Sequence, residues 1–151
     1  MSGISASVAD FISEGRVGRL GTADASGEPL VVPICYAFDG ESLFSAIDAK
    51  PKKRGAERLR RIRNISANAR VSVVIDHYDE DWSALRYVII QGQARLLTAG
   101  VDFSRGADLL IAKYPQYRAL GLDREAGLMI QVTPGTVIHW QFEARASRGV
   151  G

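Results

Sequence analysis

The tight turn at Asp39-Gly40 constrains the fold of this chain more than any other feature of its sequence. An Asp-Gly pair between two apolar runs is a strong signal for a hairpin turn. The preceding run, residues 30–38, has almost no polar residue, which predicts a strand buried on both faces. The returning strand is predicted over residues 42–47. The sheet is therefore expected to form from antiparallel hairpins.

Other apolar runs extend this pattern. Strands are predicted from residue 17 and over 71–75, 87–97, 127–132 and 136–142, the last two joined by a turn at Thr133-Pro134-Gly135. Gly92 interrupts the longest run, which indicates a bulge or a close approach of another backbone. Helices are predicted after Ser5 or Ser7 and over 55–68 and 101–114. Hairpins separated by single helices predict a mainly β fold, a six-stranded antiparallel barrel with helices at its ends.

Length and composition favour one domain over residues 1–151, with an ordered core over about 5–142. No apolar run is long enough to span a bilayer, and residues 1–10 lack the features of a signal peptide, so a cytoplasmic protein without a membrane partner is expected. The lone Cys35 excludes an intrachain disulfide. Because it lies in an apolar run, it is predicted to be a small buried side chain rather than a nucleophile.

Positive charge is concentrated in one segment. Eight of the 19 lysines and arginines lie in residues 50–63, where Glu57 is the only acidic residue. Just before them, Ser45 ends a predicted strand, and a predicted helix follows. A hydroxyl, ammonium groups and a helix N-terminus are the groups that bind a phosphate. The segment therefore indicates a phosphate site, with a solvated basic loop as the alternative.

Several short segments, in this order and spacing, resemble one family. They are residues 11–12 and 16–22 (RVGRLGT), 27–33 (GEPLVVP), Ser45 with 48–52 (DAKPK), 60–65 (RRIRNI), 67–71 (ANARV), 76–82 (DHYDEDW) and 92–95 (GQAR). Together they resemble the pyridoxamine 5′-phosphate oxidase-like superfamily of flavin and deazaflavin oxidoreductases. The resemblance is strongest to its actinobacterial branch of F420-dependent enzymes and covers nearly the whole chain.

The resemblance implies an FMN-binding-like split barrel that works as a homodimer, with each cofactor site formed between two protomers. It implies that Ser45, Lys50 and Lys53 hold the cofactor phosphate. The remaining implied cofactor contacts are Ile47, beside Ser45, Val32 and Pro33 along the ring, and Arg86 and Tyr87 from the barrel wall. Two positions depart from the family: Ala69 replaces a usual proline, and the longer phosphate loop argues against pyridoxamine phosphate oxidase activity itself.

The surplus of arginines favours F420 over FMN as the cofactor, because F420 continues beyond its phosphate into a chain of glutamates. Haem or another tetrapyrrole is a third possibility. The function implied is hydride transfer between reduced deazaflavin and a small conjugated substrate, with Tyr87 or a water as the proton donor. In such enzymes the cofactor supplies the chemistry and the protein supplies binding and orientation. The alternatives are an FMN-dependent oxidoreductase and a non-enzymatic carrier of a flavin, deazaflavin or tetrapyrrole.

Other sites are not favoured. The acidic segment 76–82 lacks the central glycine and terminal glutamate of a calcium loop, and His77 is expected to be a surface residue, so no metal is predicted. The arginines after residue 57 follow no single stripe and have no interleaved aromatics, which argues against nucleic acid. No nucleophilic triad or Gly-x-Ser-x-Gly motif is present. The roles of Trp82 and Trp140 stay open. Each could lie beside the cofactor ring or a pocket, or could anchor the core or an interface.

Overall fold

An antiparallel sheet dominates the fold. The structure is a computed structural model, and it describes residues 3–47 and 59–143. In these two ranges the sheet has seven strands in the order β2-β1-β5-β6-β7-β4-β3, so its two edges do not join into a closed barrel. The strands are β1 (Gly18–Ala23), β2 (Pro29–Ile34), β3 (Ala37–Phe38), β4 (Leu43–Ala46), β5 (Arg70–His77), β6 (Arg86–Ala99) and β7 (Ala126–Gln141).

Four helices pack against this sheet in the described ranges: α1 (Ala6–Glu14), α2 (Arg60–Ala67), α3 (Val101–Lys113) and α4 (Gln116–Leu120). Helix α1 begins where the Ser5 hydroxyl accepts a hydrogen bond from the backbone N–H of Val8 at 3.3 Å, as expected of a capping serine. The predicted helix over 55–68 is present from Arg60, and its first residues lie outside the described ranges.

The mainly β, antiparallel prediction is confirmed, but the strand count of six is wrong. The apolar run 30–38 forms two strands, because the chain breaks after Ile34 and turns the Tyr36 ring into the core, where it is fully buried. The prediction that this run is buried on both faces is also wrong. Strand β2 lies at an edge, Val31 is 65% exposed, and Cys35 is exposed rather than buried.

The predicted turn at Thr133-Pro134-Gly135 is wrong, because these residues lie within the single strand β7. The β6–β7 register shifts between Gln91 and Gly92, and Pro134 pairs with Gly92 at this irregularity. A proline can occupy such a position because the bulge interrupts the regular ladder. The prediction for Gly92 is confirmed: a Cβ atom there would lie 2.1 Å from the carbonyl oxygen of Thr133.

The core has two parts that meet at β4. Leu43 contributes to the cluster inside the curved sheet, which Ile12 of α1 and Ile62 of α2 cover. Its neighbour Phe44 points the other way, into the cluster beneath α3 with Phe103. Because β4 is buried on both sides, it fixes α3 against one side of the sheet. The outward side of β1, β5 and β6 has no covering helix among the described residues.

Candidate functional site

The side of the sheet that faces away from the first core cluster is called the outer face here. Residues that lie directly opposite one another on neighbouring strands form rows across it. The row nearest the His77 end of β5 consists of Asp76, Tyr87 and Trp140. The next row consists of Pro33, Arg19, Val74, Ile89 and Ile138. Alternate residues of a strand share a face, so the two rows lie side by side.

An apolar patch with an aromatic pair occupies the β6–β7 end of these rows. The rings of Tyr87 and Trp140 stack with centroids 5.4 Å apart and planes inclined by 19°. Ile89 and Ile138 continue the surface, and Trp140 and Ile138 are 40% and 42% exposed. Tyr87, Ile89, Ile138 and Trp140 are called the outer patch below. An exposed apolar surface around a stacked pair is typical of a binding or association site.

Arg86 has a different environment from its neighbour Tyr87, because successive strand residues point to opposite faces. Its guanidinium donates to the backbone carbonyl and the hydroxyl of Ser7, both at 3.1 Å, and lies 4.4 Å from the centroid of the Phe11 ring. Its Nε donates to Nε2 of His139 at 3.3 Å. Arg86 therefore holds α1 against the end of the sheet, and its side chain does not reach the outer patch of the same chain.

The predicted phosphate site, at Ser45, Lys50 and Lys53, lies far from the outer patch along the chain. Ser45 and Ile47 are 6% and 5% exposed, and Ser45 pairs with Ile130 of β7. Trp140 is further along that strand by roughly 30 Å of its length, at about 3.3 Å per residue. Lys50 and Lys53 lie outside the described residues.

The other two predicted ring contacts are divided in the same way. Pro33 is exposed on the outer face, whereas the half-buried Val32 packs against the inner core cluster. Within one chain, those predicted residues that the structure describes are thus not brought into a single pocket.

A second feature of the outer face is a cavity of about 710 Å³ beside the outer patch. A row of directly opposed residues crosses its floor, and Gly21, the second residue of that row, has no side chain. We call it the outer cavity. Sequence reasoning missed it, because its residues come from five strands. The glycines inside strands, Gly21 and Gly92, are the signals that could have pointed to it. The row consists of Val31, Gly21, Ser72, Gln91 and Thr136.

Strongly perturbed titratable groups lie away from the outer face, where α3 meets the segment between β2 and β3. The Lys113 ammonium donates to the Tyr36 carbonyl at 3.0 Å and lies 3.9 Å from the centroid of the Tyr36 ring. Burial, together with the nearby Arg16 guanidinium, lowers the pKa of Lys113 to about 8. Burial raises the pKa of the Tyr114 hydroxyl. This hydroxyl lies 2.9 Å from the Arg16 carbonyl oxygen and 3.1 Å from the Tyr36 carbonyl oxygen, and its single proton is donated to one of them at a time. These contacts join α3 to the sheet.

The remaining sequence candidates are on the surface. Trp82 is 61% exposed and its indole N–H is 3.4 Å from the Tyr78 hydroxyl, so it is not a core residue of this chain. Trp140 is also outside the core. No cluster of three metal-ligating side chains occurs among the described residues. No helix in the same part of the chain is long and apolar enough to cross a membrane.

Comparison with known proteins gives a consistent family. A family model for pyridoxamine 5′-phosphate oxidase matches residues 4–141. The chain is 31% identical over 137 residues to a 5a,11a-dehydrotetracycline/5a,11a-dehydrooxytetracycline reductase from Streptomyces rimosus, covering 88% of this chain and 80% of that protein.

Solved structures with the same fold carry different functional names. The haem storage protein HutZ from Vibrio cholerae superposes with a TM-score of 0.67 at 16% identity, covering 91% of this chain and 94% of that one. An F420 reductase superposes with a TM-score of 0.59 at 21% identity, covering 91% and 98%. At these identities the two structures show the shared fold alone.

Proposed function

Because this chain belongs to the pyridoxamine 5′-phosphate oxidase family, we propose that it is an F420-dependent reductase that transfers a hydride from reduced deazaflavin to a small conjugated substrate. The observation that carries the proposal is the outer patch, an exposed surface of stacked aromatic rings and aliphatic side chains. A planar tricyclic ring can lie against such a surface and bury both partners' apolar area. The relative from Streptomyces rimosus, named as a reductase of dehydro compounds, supports the same reaction class.

The basic segment favours F420 over FMN. One phosphate can use about three of the eight cations in residues 50–63, at the one to three charge-assisted bonds that such a group makes. The glutamate tail of F420 offers the remaining arginines further negative charge. Exposed ion pairs are each worth about 0–1 kcal/mol, so this preference depends on their number.

The separation of Ser45 from the outer patch supports a homodimer. Ser45 pairs with Ile130, ten residues before Trp140 on β7. We therefore infer that a cofactor held by Ser45, Lys50 and Lys53 of one chain, the phosphate segment, lies on the Trp140 of the other chain. In the proposed dimer, the phosphate segment of one protomer faces the outer patch of the other. Both copies are then needed to complete each site, and the exposed apolar side chains become buried.

When bound, a reduced deazaflavin would supply a hydride to one carbon of an electron-poor double bond, and a proton would add to the other carbon. The chain's own contribution is positional. Tyr87 and Trp140 hold the ring plane, and Ile89 and Ile138 exclude water from it. The Tyr87 hydroxyl is proposed as the proton source. No strong acid or base is required of the protein, in keeping with cofactor-based redox catalysis.

The proposal is tested by titrating the purified protein with F420, FMN and haem, followed by fluorescence and absorbance, and then by mixing it with reduced F420 and a panel of conjugated compounds. We expect F420 to bind most tightly and oxidation of reduced F420 to require both protein and acceptor. Tighter binding of FMN would assign the protein to the flavin-dependent members. Tight haem binding, or F420 binding without turnover of any acceptor, would favour a carrier.

A further inference from the structure

We propose that the outer cavity binds an anionic, oxygen-rich part of the substrate, with Arg70 as its charged partner. That this ligand is the substrate depends on the function proposed above. That the cavity takes an anion depends only on its own shape and charge, so the two statements can fail separately.

The shape of the cavity comes from small side chains in the middle of the sheet. Gly21 lies between Val31 and Ser72 in the row that crosses its floor. A Cβ atom at Gly21 would be 3.5 Å from the Ser72 carbonyl oxygen and 4.0 Å from the nearest atom of Val31. A Cβ atom at Gly21 would therefore meet only ordinary van der Waals contacts, and without a side chain there a ligand can approach the backbone of β1.

The lining of the cavity favours a negative ligand. Arg70 pairs directly with Gln93, and Gln91 occupies the same face of β6 two residues earlier. Exposed amides and a guanidinium thus surround the space, and none of its described lining residues is acidic. Arg70 makes no ion pair with a described carboxylate, whereas Arg19 on the same face is paired with Asp76 at 2.8 Å. An unpaired guanidinium among amide donors matches a carboxylate or an ionised enol or phenol.

The cavity lies where a substrate held at the outer patch would extend. Gln91 follows Ile89 on the outer face of β6, and Thr136 precedes Ile138 on β7. Each such step is about 7 Å along a strand. A molecule whose reacting double bond lies over the apolar outer patch can therefore place its polar end in the outer cavity. Along β6 and β7 the outer face is apolar at one end and polar at the other, which would orient the substrate.

The test uses the whole chain without cofactor and two matched probes, salicylate and its neutral analogue salicylamide. Binding is followed by ¹H–¹⁵N spectra that include the Arg70 Nε–H and the side-chain amides of Gln91 and Gln93. We expect salicylate to shift these signals and to bind more tightly than salicylamide. Arg70→Gln should weaken salicylate about fivefold, the upper range for an exposed ion pair, and remove its advantage over salicylamide. Gly21→Val, which fills the floor but keeps the charge, should abolish binding of both probes.

Arg118→Gln serves as the matched control, because it removes an exposed cation on α4, outside the outer cavity. It should leave both affinities unchanged. Three results would overturn the anion site. They are equal affinity of the protein for the two probes, spectral shifts confined to the Tyr87–Trp140 end of the outer face, and an Arg70→Gln variant that binds salicylate as tightly as the parent does. Displacement of salicylate by F420 would also overturn the proposal, since the cavity would then belong to the cofactor. If F420 fails to bind while salicylate behaves as expected, the proposed function is wrong and the anion site stands.

Discussion

Replacing Gly92 with alanine tests the close approach of the β7 backbone to β6. The added Cβ atom would lie 2.1 Å from the Thr133 carbonyl oxygen, 2.9 Å from its carbonyl carbon and 3.0 Å from the Pro134 Cα. All three are backbone atoms, so no side chain can rotate away. To regain an ordinary contact, β7 must move by roughly 1 Å, and overpacking of this kind costs about 1–3 kcal/mol. Two distorted ladder hydrogen bonds add about 1 kcal/mol each. The expected loss is about 3–5 kcal/mol.

Gly21→Ala is the matched control, because its Cβ meets only ordinary contacts of 3.5–4.0 Å in another strand of the same sheet. It should be neutral or stabilise by about 0.5–1 kcal/mol, the usual gain of alanine over glycine in a strand. Both variants are compared by urea denaturation at one protein concentration, with tryptophan fluorescence and circular dichroism as probes. A Gly92→Ala variant as stable as the parent would contradict the register of β6 against β7.

Three other changes have outcomes that the contacts determine. Asn64→Ala removes the donor of the buried 2.9 Å hydrogen bond to the Thr22 hydroxyl and should lower the free energy of unfolding by about 1–3 kcal/mol. An unchanged free energy of unfolding in denaturation experiments would contradict the described packing of α2. Because the pKa of Lys113 is about 8 in the folded chain and 10.5 is its ordinary value, the unfolded state binds more protons between these limits. Stability should therefore rise with pH over this range, and less so in Lys113→Met; identical pH profiles would refute the burial argument. Ile138→Lys should yield a folded monomer in sedimentation experiments if the outer patch is the dimer interface, and an unchanged dimer would move the interface elsewhere.

The sequence predicted those parts of the fold that depend on local chemistry. The Asp39-Gly40 hairpin, the Ser5 cap and the close approach at Gly92 each follow from one or two residues, and the structure confirms all three. The break after Ile34 was missed because it is a tertiary effect. The apolar run continues unbroken, but the fully buried Tyr36 hydroxyl finds its acceptor at the Ile12 carbonyl only if the chain turns.

The candidate site was harder to predict for a similar reason. The Tyr87–Trp140 stack joins residues that are distant in sequence and meet through the β6–β7 register. Resemblance to the family supplied Tyr87, whereas Trp140 remained open between the core and the ring. The outer cavity draws on five strands, so no local motif marks it. The resemblance also assigned Arg86 to the ring, but in this chain its side chain contacts Ser7 and Phe11 of α1. The sequence does not specify how that helix docks on the sheet.

The most direct test of the central claim, a deazaflavin site shared between two copies of the chain, is a mixed-dimer titration. One chain carries Lys50→Ala and Lys53→Ala, and the other carries Tyr87→Ala and Trp140→Ala. Each is first shown to bind F420 poorly alone, and the two are then mixed, allowed to exchange and titrated with F420. In a mixed dimer the unaltered phosphate segment of one chain faces the unaltered outer patch of the other, so one site of two is restored. The account predicts parent-like affinity at half the parent's stoichiometry in the mixed dimers. No recovery on mixing, with exchange verified, would contradict it.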